Sequence, residues 1–428
     1  MKDNDEDLSC AIPLDRKEVG DCVKEPRFIF QRGSVRKEAD SSDVRCIVQD
    51  ILSRSLNLAT LVGSGASTPA IPLMGLTFSK IRENLARDDQ NLSILLEDRI
   101  SKLAKYQNTD PENFCDIEGL LSWLNQRIEG CLGSEKDDKA VSDVIRKEFL
   151  SSVNVDYNSI GSSRVLEDYR KVVQGLGISR QLLARNRQTV FDVVNLFTTN
   201  YDLFHELALE TSGYAYADGF SNGILASFSP REYHRRPIDL DERFRDHYEP
   251  VNPFFRLYKL HGSINWRMFD DRVVRIPRVP GSEMSYPGAD QLIAPMSSKY
   301  ALTQGSPYSD IFREFVNAMA IPNTVLFTCG FSFADLHIAN LIEQALARPD
   351  FTLVALIGNP EKMDESSPTR KFYDSVSSAN TYFIYPAEND PDPNRPLYFS
   401  EFAEFVGPEI AFGGPSVNQE QDTGDGDE

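Results

Sequence analysis

The sequence is poor in the residues that build metal and disulfide sites. Its six cysteines, Cys10, Cys22, Cys46, Cys115, Cys131 and Cys329, include no Cys-x-x-Cys pair, which excludes a zinc ribbon and a disulfide scaffold. There are five histidines, none at ligand spacing from another, so no structural metal is expected. No apolar run approaches the ~18 residues that span a bilayer. The N-terminus, Met1-Lys2-Asp3-Asn4-Asp5, has neither the basic nor the apolar region of a secretory signal. A cytosolic, cytoplasmic protein is expected. No phosphate-loop pattern GxxxxGK[ST], no complete GxGxxG fingerprint and no internal repeat occurs. Basic residues are also short: 45 Lys and Arg stand against 65 Asp and Glu, a formal charge of −20. That balance argues against sequence-independent binding of DNA or RNA by the isolated chain.

What is present is a long chain with ordinary apolar content. At 428 residues it exceeds a single simple core, so about two domains or one elaborated domain is expected. Residues 1–42 are polar and mixed in charge and read as an N-terminal arm, disordered or ordering on a partner. The body runs from 43 to 412, and 413–428 is an acidic, disordered tail. Between about 76 and 185 helical spacings dominate, as in Ile117, Leu120, Leu121, Leu124 and Ile128. This stretch reads as a helical insertion after the first strand, with Asp116 capping the helix that carries Trp123.

Five short apolar runs each end in a polar or glycine turn: after Val62, Thr199, Leu260, Thr328 and Ile357. Most lead into helical spacing, the pattern of a parallel α/β sheet. Parallel strands with right-handed crossovers put their carboxyl ends on one edge, where ligands bind. The turns Gly63-Ser64-Gly65-Ala66-Ser67, Thr199-Asn200-Tyr201-Asp202, His261-Gly262-Ser263, Gly330-Phe331-Ser332 and Gly358-Asn359 are therefore expected to converge. Each has an ordinary reading too. A Gly/Ser turn is common after a strand, Asp202 fits a helix cap, and a lone histidine is more often structural. Small residues in the first turn would let backbone N–H groups cradle a phosphate.

Taken together, Gly63-Ser64-Gly65-Ala66-Ser67, Thr199-Asn200-Tyr201-Asp202, Lys259-Leu260-His261-Gly262-Ser263 and Gly330-Phe331-Ser332-Phe333-Ala334-Asp335 resemble the sirtuin-like family. The likeness is to its bacterial branch in anti-phage defence, whose members cleave NAD. It spans roughly residues 57–360 and includes Asp116-Ile117-Glu118 in the insertion. The resemblance implies a Rossmann-like parallel sheet. It implies catalytic roles for Asn200 and His261, with Asp202 as their partner acid. NAD, as substrate, would be bound by Gly63, Ser64, Gly65, Ala66, Ser67, Thr199, Gly330 and Ser332, with Asn359 on the adenosine side. It also implies a homo-oligomer paired with a HerA-like hexameric DNA-translocating ATPase, and no membrane contact.

One departure bears on the reaction. Protein-deacylating sirtuins carry four zinc-binding cysteines between the histidine and Gly-x-Ser motifs, whereas Gly262 to Thr328 contains no cysteine. Thr199 also stands where those enzymes usually have glutamine. Hydrolysis of NAD to nicotinamide and ADP-ribose, depleting the cell's NAD during abortive infection, is the expected activity. The alternatives are a non-hydrolysing NAD or ADP-ribose binding subunit, or a protein ADP-ribosyltransferase or deacylase.

Overall fold

The computed structural model describes residues 26–112, 114–130, 135–186, 193–240, 249–277, 290–291, 305–376 and 378–408. The chain begins with a hairpin, β1 (Arg27–Arg32) and β2 (Val35–Asp40), then α1 (Ser41–Arg54) and β3 (Asn57–Val62). Five helices follow: α2 (Met74–Asp88), α3 (Gln90–Gln107), α4 (Ile117–Glu129), α5 (Glu135–Val153) and α6 (Ile160–Asn186). The chain returns to the sheet as β4 (Val193–Thr198), passes through α7 (Phe204–Thr211), and adds β5 (Ala215–Ala217) and β6 (Phe254–Lys259). Then come α8 (Tyr308–Ala320), β7 (Thr324–Cys329), α9 (Leu336–Leu346) and β8 (Thr352–Leu356). The last elements are α10 (Pro368–Ser375), β9 (Thr381–Pro386) and α11 (Phe399–Val406).

The main sheet has the order β2-β1-β9-β8-β7-β3-β4-β6-β5. Every pairing from β9 to β5 is parallel, and only β1 runs antiparallel to its neighbours. This is a mixed α/β, Rossmann-like fold. From β3 the chain steps to β4 on one side and later crosses back to β7 on the other. That reversal opens a crevice at the carboxyl ends of β3, β4 and β7.

Side-chain alternation explains why the strands read as unbroken apolar runs. In β3, Leu58 and Val62 enter one core while Ala59 and Leu61 enter the other. In β4, Val194 and Leu196 point one way and Phe197 the other. Both faces are covered, as parallel sheets require. Val44, Val48 and Leu52 of α1, Phe204 of α7 and Phe402 of α11 pack on the first face. Phe315 of α8, Ile338 and Ile342 of α9 and Phe372 of α10 pack on the second. Arg180 of α6 is fully buried and donates to the carbonyls of Ser55 (2.7 Å) and Leu52 (2.8 Å) at the end of α1. Burial holds its guanidinium down at about 10.

The structure departs from the sequence reading in several places. From Arg27 on, the expected polar arm is the hairpin that closes one sheet edge. Phe28 is wholly buried, and the exposed Arg36, Lys37 and Glu38 that make the segment look like a tail lie on an edge strand. Charged side chains there discourage pairing with another chain. Asp40 caps α1 by accepting from the Asp43 N–H. Just after Gly213, β5 joins the main sheet at its far edge. Ala226–Ser227 joins Trp266–Phe269, Arg272–Arg275 and Asp290–Gln291 in a second, antiparallel sheet. The run Gln291-Leu292-Ile293-Ala294 also has the apolar pattern of a strand, and of it only Gln291 falls within the described residues. Residues 1–25 and the tail 413–428 fall outside them. No described helix is long and apolar enough to cross a membrane.

Candidate active site

β3 leaves the sheet at Val62 and turns at once through Gly63 into a single 3-10 turn, Ser64–Ser67. On the neighbouring strand, β7 ends at Cys329 and turns at Gly330, whose φ of 64° is left-handed. The two turns are bonded to each other. The Gly63 N–H donates to the Cys329 carbonyl and the Gly65 N–H to the Gly330 carbonyl, each at 3.0 Å. A Cβ on Gly63 would sit 2.4 Å from the Gly330 oxygen, and one on Gly330 2.5 Å from the Ala66 nitrogen. Glycine at both positions lets the turns close. The N–H groups of Gly63, Gly65 and Ala66 donate to backbone carbonyls. Ser64 and Ser67 are the members of this loop that reach the cavity.

The turn after β4 is tied to the same place. The Thr199 N–H donates to the Val62 carbonyl at 3.1 Å. The Thr198 hydroxyl donates to that carbonyl at 2.9 Å and accepts from the Asn200 N–H at 3.0 Å. The Asn200 side chain is buried, and its Nδ2 donates to the Gly63 carbonyl at 3.0 Å. Ser67 Oγ lies at 3.1 Å and the Tyr169 hydroxyl at 3.3 Å from the same nitrogen. A carbonyl can only accept, so the amide orientation is fixed. Asn200 lines the cavity, and its Oδ1 is left buried without a hydrogen-bond partner.

Asp202 uses both oxygens within the protein. Oδ2 accepts from Ser67 Oγ at 2.7 Å, and Oδ1 accepts from the N–H of Phe204, which starts α7, at 3.1 Å. Asp202 thus ties the start of α7, whose N-cap is Leu203, to Ser67 of the first turn. Lys259, at the end of β6, donates to the Asp202 carbonyl and lies 3.0 Å from Glu206 Oε1, both groups being buried. Burial pushes the Glu206 carboxyl up. In this way the turn is fastened from below by a cation.

Past Lys259 and Leu260, His261 lines the cavity with its Nε2 3.0 Å from Asp335 Oδ2. Asp335 caps α9, its Oδ1 accepting from the N–H groups of His337 (3.1 Å) and Ile338 (3.3 Å).

These turns enclose a cavity of about 890 Å³, within the usual size for small-molecule sites. Thr199, Asn200, Asp202, His261, Gly330 and Ser332 all line it. The helical insertion forms the opposite wall, through Met74 and Thr77 of α2, Glu118 of α4 and Phe149 of α5. Asn359 stands apart from this cavity. Its Nδ2 donates to the Pro386 carbonyl at 3.1 Å and its Oδ1 accepts from the Glu361 N–H at 3.0 Å, so both polar atoms serve the turn after β8.

Three contributions escaped the sequence reading. Tyr169 of α6 is wholly buried, and burial raises its hydroxyl well above the usual phenol range, so it stays neutral. Nothing in its helical spacing separates it from a core tyrosine. Asp335 lay inside a recognised motif without a role. The wall supplied by α2, α4 and α5 had only the Asp116-Ile117-Glu118 likeness as a signal. Among the described residues, no group of three or more His, Cys, Asp or Glu side chains is placed to hold a metal.

The model of the SIR2-like domain family matches residues 194–381. No curated protein matches the chain. The matched stretch begins at β4 and covers the asparagine, histidine and Gly-x-Ser turns. The first strand and its glycine turn precede it in sequence, yet the sheet order sets β3 between β7 and β4. SIR2-like domains bind NAD, and the convergence of these turns on one cavity accords with an NAD-related activity. Over residues 194–381 the chain carries a SIR2-like domain and is sirtuin-like.

Proposed function

We propose that the protein is an NAD glycohydrolase that cleaves the nicotinamide–ribose bond to give nicotinamide and ADP-ribose. The observation that carries this reading is that Asn200, whose buried Oδ1 has no hydrogen-bond partner, and His261 line one cavity. A buried acceptor without a partner costs about 1–3 kcal/mol, and a ribose hydroxyl or an attacking water supplies the missing donor. His261 takes the proton from that donor. The carboxylates of Asp116, Glu118, Asp202 and Asp335 on the walls favour the positive charge that builds on the ribose as neutral nicotinamide leaves. Ser64, Ser67 and Ser332 offer hydroxyls to the remainder of the dinucleotide.

Hydrolysis is favoured over protein deacylation by the chain between the histidine and Gly-x-Ser turns. Its described part carries the Trp266–Phe269 and Arg272–Arg275 hairpin and α8, and the whole interval has no cysteine. We further propose that the activity serves anti-phage defence by depleting cytoplasmic NAD, in a homo-oligomer paired with a HerA-like ATPase.

The test is to incubate the purified chain, with and without the product of any neighbouring gene, with NAD and to identify the products. Nicotinamide and ADP-ribose are expected in equal amounts, and His261→Ala should lower turnover by ~100- to 10,000-fold with the fold intact. Turnover of an acyl-peptide, or label transferred to protein, in place of free ADP-ribose would replace this reading.

A further inference from the structure

The pairing of His261 with Asp335 suggests a role for the aspartate beyond capping a helix. Asp335 is at the first turn of α9, and its two oxygens are divided between two tasks. Oδ1 accepts from the N–H groups of both His337 and Ile338, which is all that capping requires. Oδ2 is turned away from the helix and lies 3.0 Å from His261 Nε2. Both side chains are about nine-tenths buried, at 9% and 10% exposure. Little water therefore competes for the contact, and its electrostatic strength is correspondingly greater.

We propose that Asp335 is the positioning residue of His261: it holds the ring with Nε2 protonated and balances the charge when the ring takes a second proton. The inference rests on the reading of His261 as the proton acceptor in the site. The chemistry follows from the donor inventory. An ionised carboxylate only accepts, so the ring nitrogen facing it donates. Neutral imidazole carries one N–H, so the nitrogen able to take a proton is then Nδ1. The resulting imidazolium has a fixed negative charge at hydrogen-bond distance, an arrangement that orients a base and stabilises its protonated form.

Other groups lie near this pair. The Tyr201 ring centroid is 6.4 Å from that of His261, and Asp202, Glu118 and His337 line the same cavity. Asp335 Oδ2 is in direct contact with the ring, 3.0 Å from Nε2.

Asp335→Asn separates positioning from capping. The amide oxygen must stay on the two helical N–H groups, so the NH₂ is presented to Nε2. That nitrogen becomes an acceptor, and the proton moves to Nδ1. The expected result is a swap of the neutral His261 tautomer in the ¹⁵N spectrum of the imidazole, measured on the full chain without substrate. For NAD cleavage, kcat should fall by about 10- to 10,000-fold with KM changed much less.

Asp335→Ser is the companion variant, because serine also caps but offers no charge to the ring. It should keep the wild-type melting temperature and still lose turnover. An unchanged tautomer in Asp335→Asn, or wild-type turnover in Asp335→Ser, would overturn the proposal and leave Asp335 a helix cap. Absence of NAD cleavage in the wild-type chain would instead count against the functional reading, while the tautomer measurement would still decide the role of Asp335.

Discussion

Asn200 shows how one side chain is made ready for chemistry by the company it keeps. Its NH₂ is anchored to the Gly63 carbonyl, within reach of two further oxygens, while its oxygen is left buried without a partner. Beneath it, Asp202, Lys259 and Glu206 bind the turn to α7 and to the end of β6. His205, also on α7, is wholly enclosed, and burial, with the nearby Lys259 charge, pushes its imidazole down to about 3 from an ordinary 6.5. In the unfolded chain it binds a proton below about 6.5, whereas in the folded chain it does not until about 3. The unfolded state therefore holds more protons in that window, and stability falls as pH falls through it. The contribution has a slope of at most about 1.4 kcal/mol per pH unit. His205→Phe should flatten the dependence of unfolding free energy on pH between those limits. An unchanged slope in denaturant titrations would refute the assignment.

At the scale of elements, the site depends on two glycine turns that touch. Gly330→Ala would place a Cβ 2.5 Å from the Ala66 nitrogen at a φ of 64°. The backbone conformation alone costs about 1–2 kcal/mol, and the contact adds to it. The variant should melt at lower temperature and bind NAD more weakly, as the turns after β3 and β7 move apart. Wild-type melting and affinity would show that the contact is dispensable. Much of this scale was legible beforehand. The apolar runs that become β3, β4, β6, β7 and β8 are short and end in glycine or polar turns, a pattern that buried parallel strands impose. The edge hairpin was not legible, because Arg36, Lys37 and Glu38 are as polar as a tail. The cavity wall from α2 to α5 was legible as helix but not as wall, since helical periodicity carries no information about which other element a face meets. Asn359 stands at the same kind of strand end, outside this cavity's lining, with both polar atoms used by its own turn.

For the whole molecule, the sheet order brings the five turns of the sequence reading to one edge and sets four of them around one cavity. The formal charge of −20 makes a direct hold on DNA unfavourable, which accords with the proposal that a HerA-like ATPase supplies that contact. Size-exclusion chromatography of the chain alone and with such a partner should give a homo-oligomer and a larger complex. A monomer in both runs would contradict that part of the proposal. The most direct test of the central claim is nicotinamide release from NAD by the wild-type chain and by Asn200→Ala under the same activating conditions. The wild-type chain should release nicotinamide, and Asn200→Ala, folded as the wild type, should release it at least ~100-fold more slowly. Undiminished release by Asn200→Ala would contradict the account.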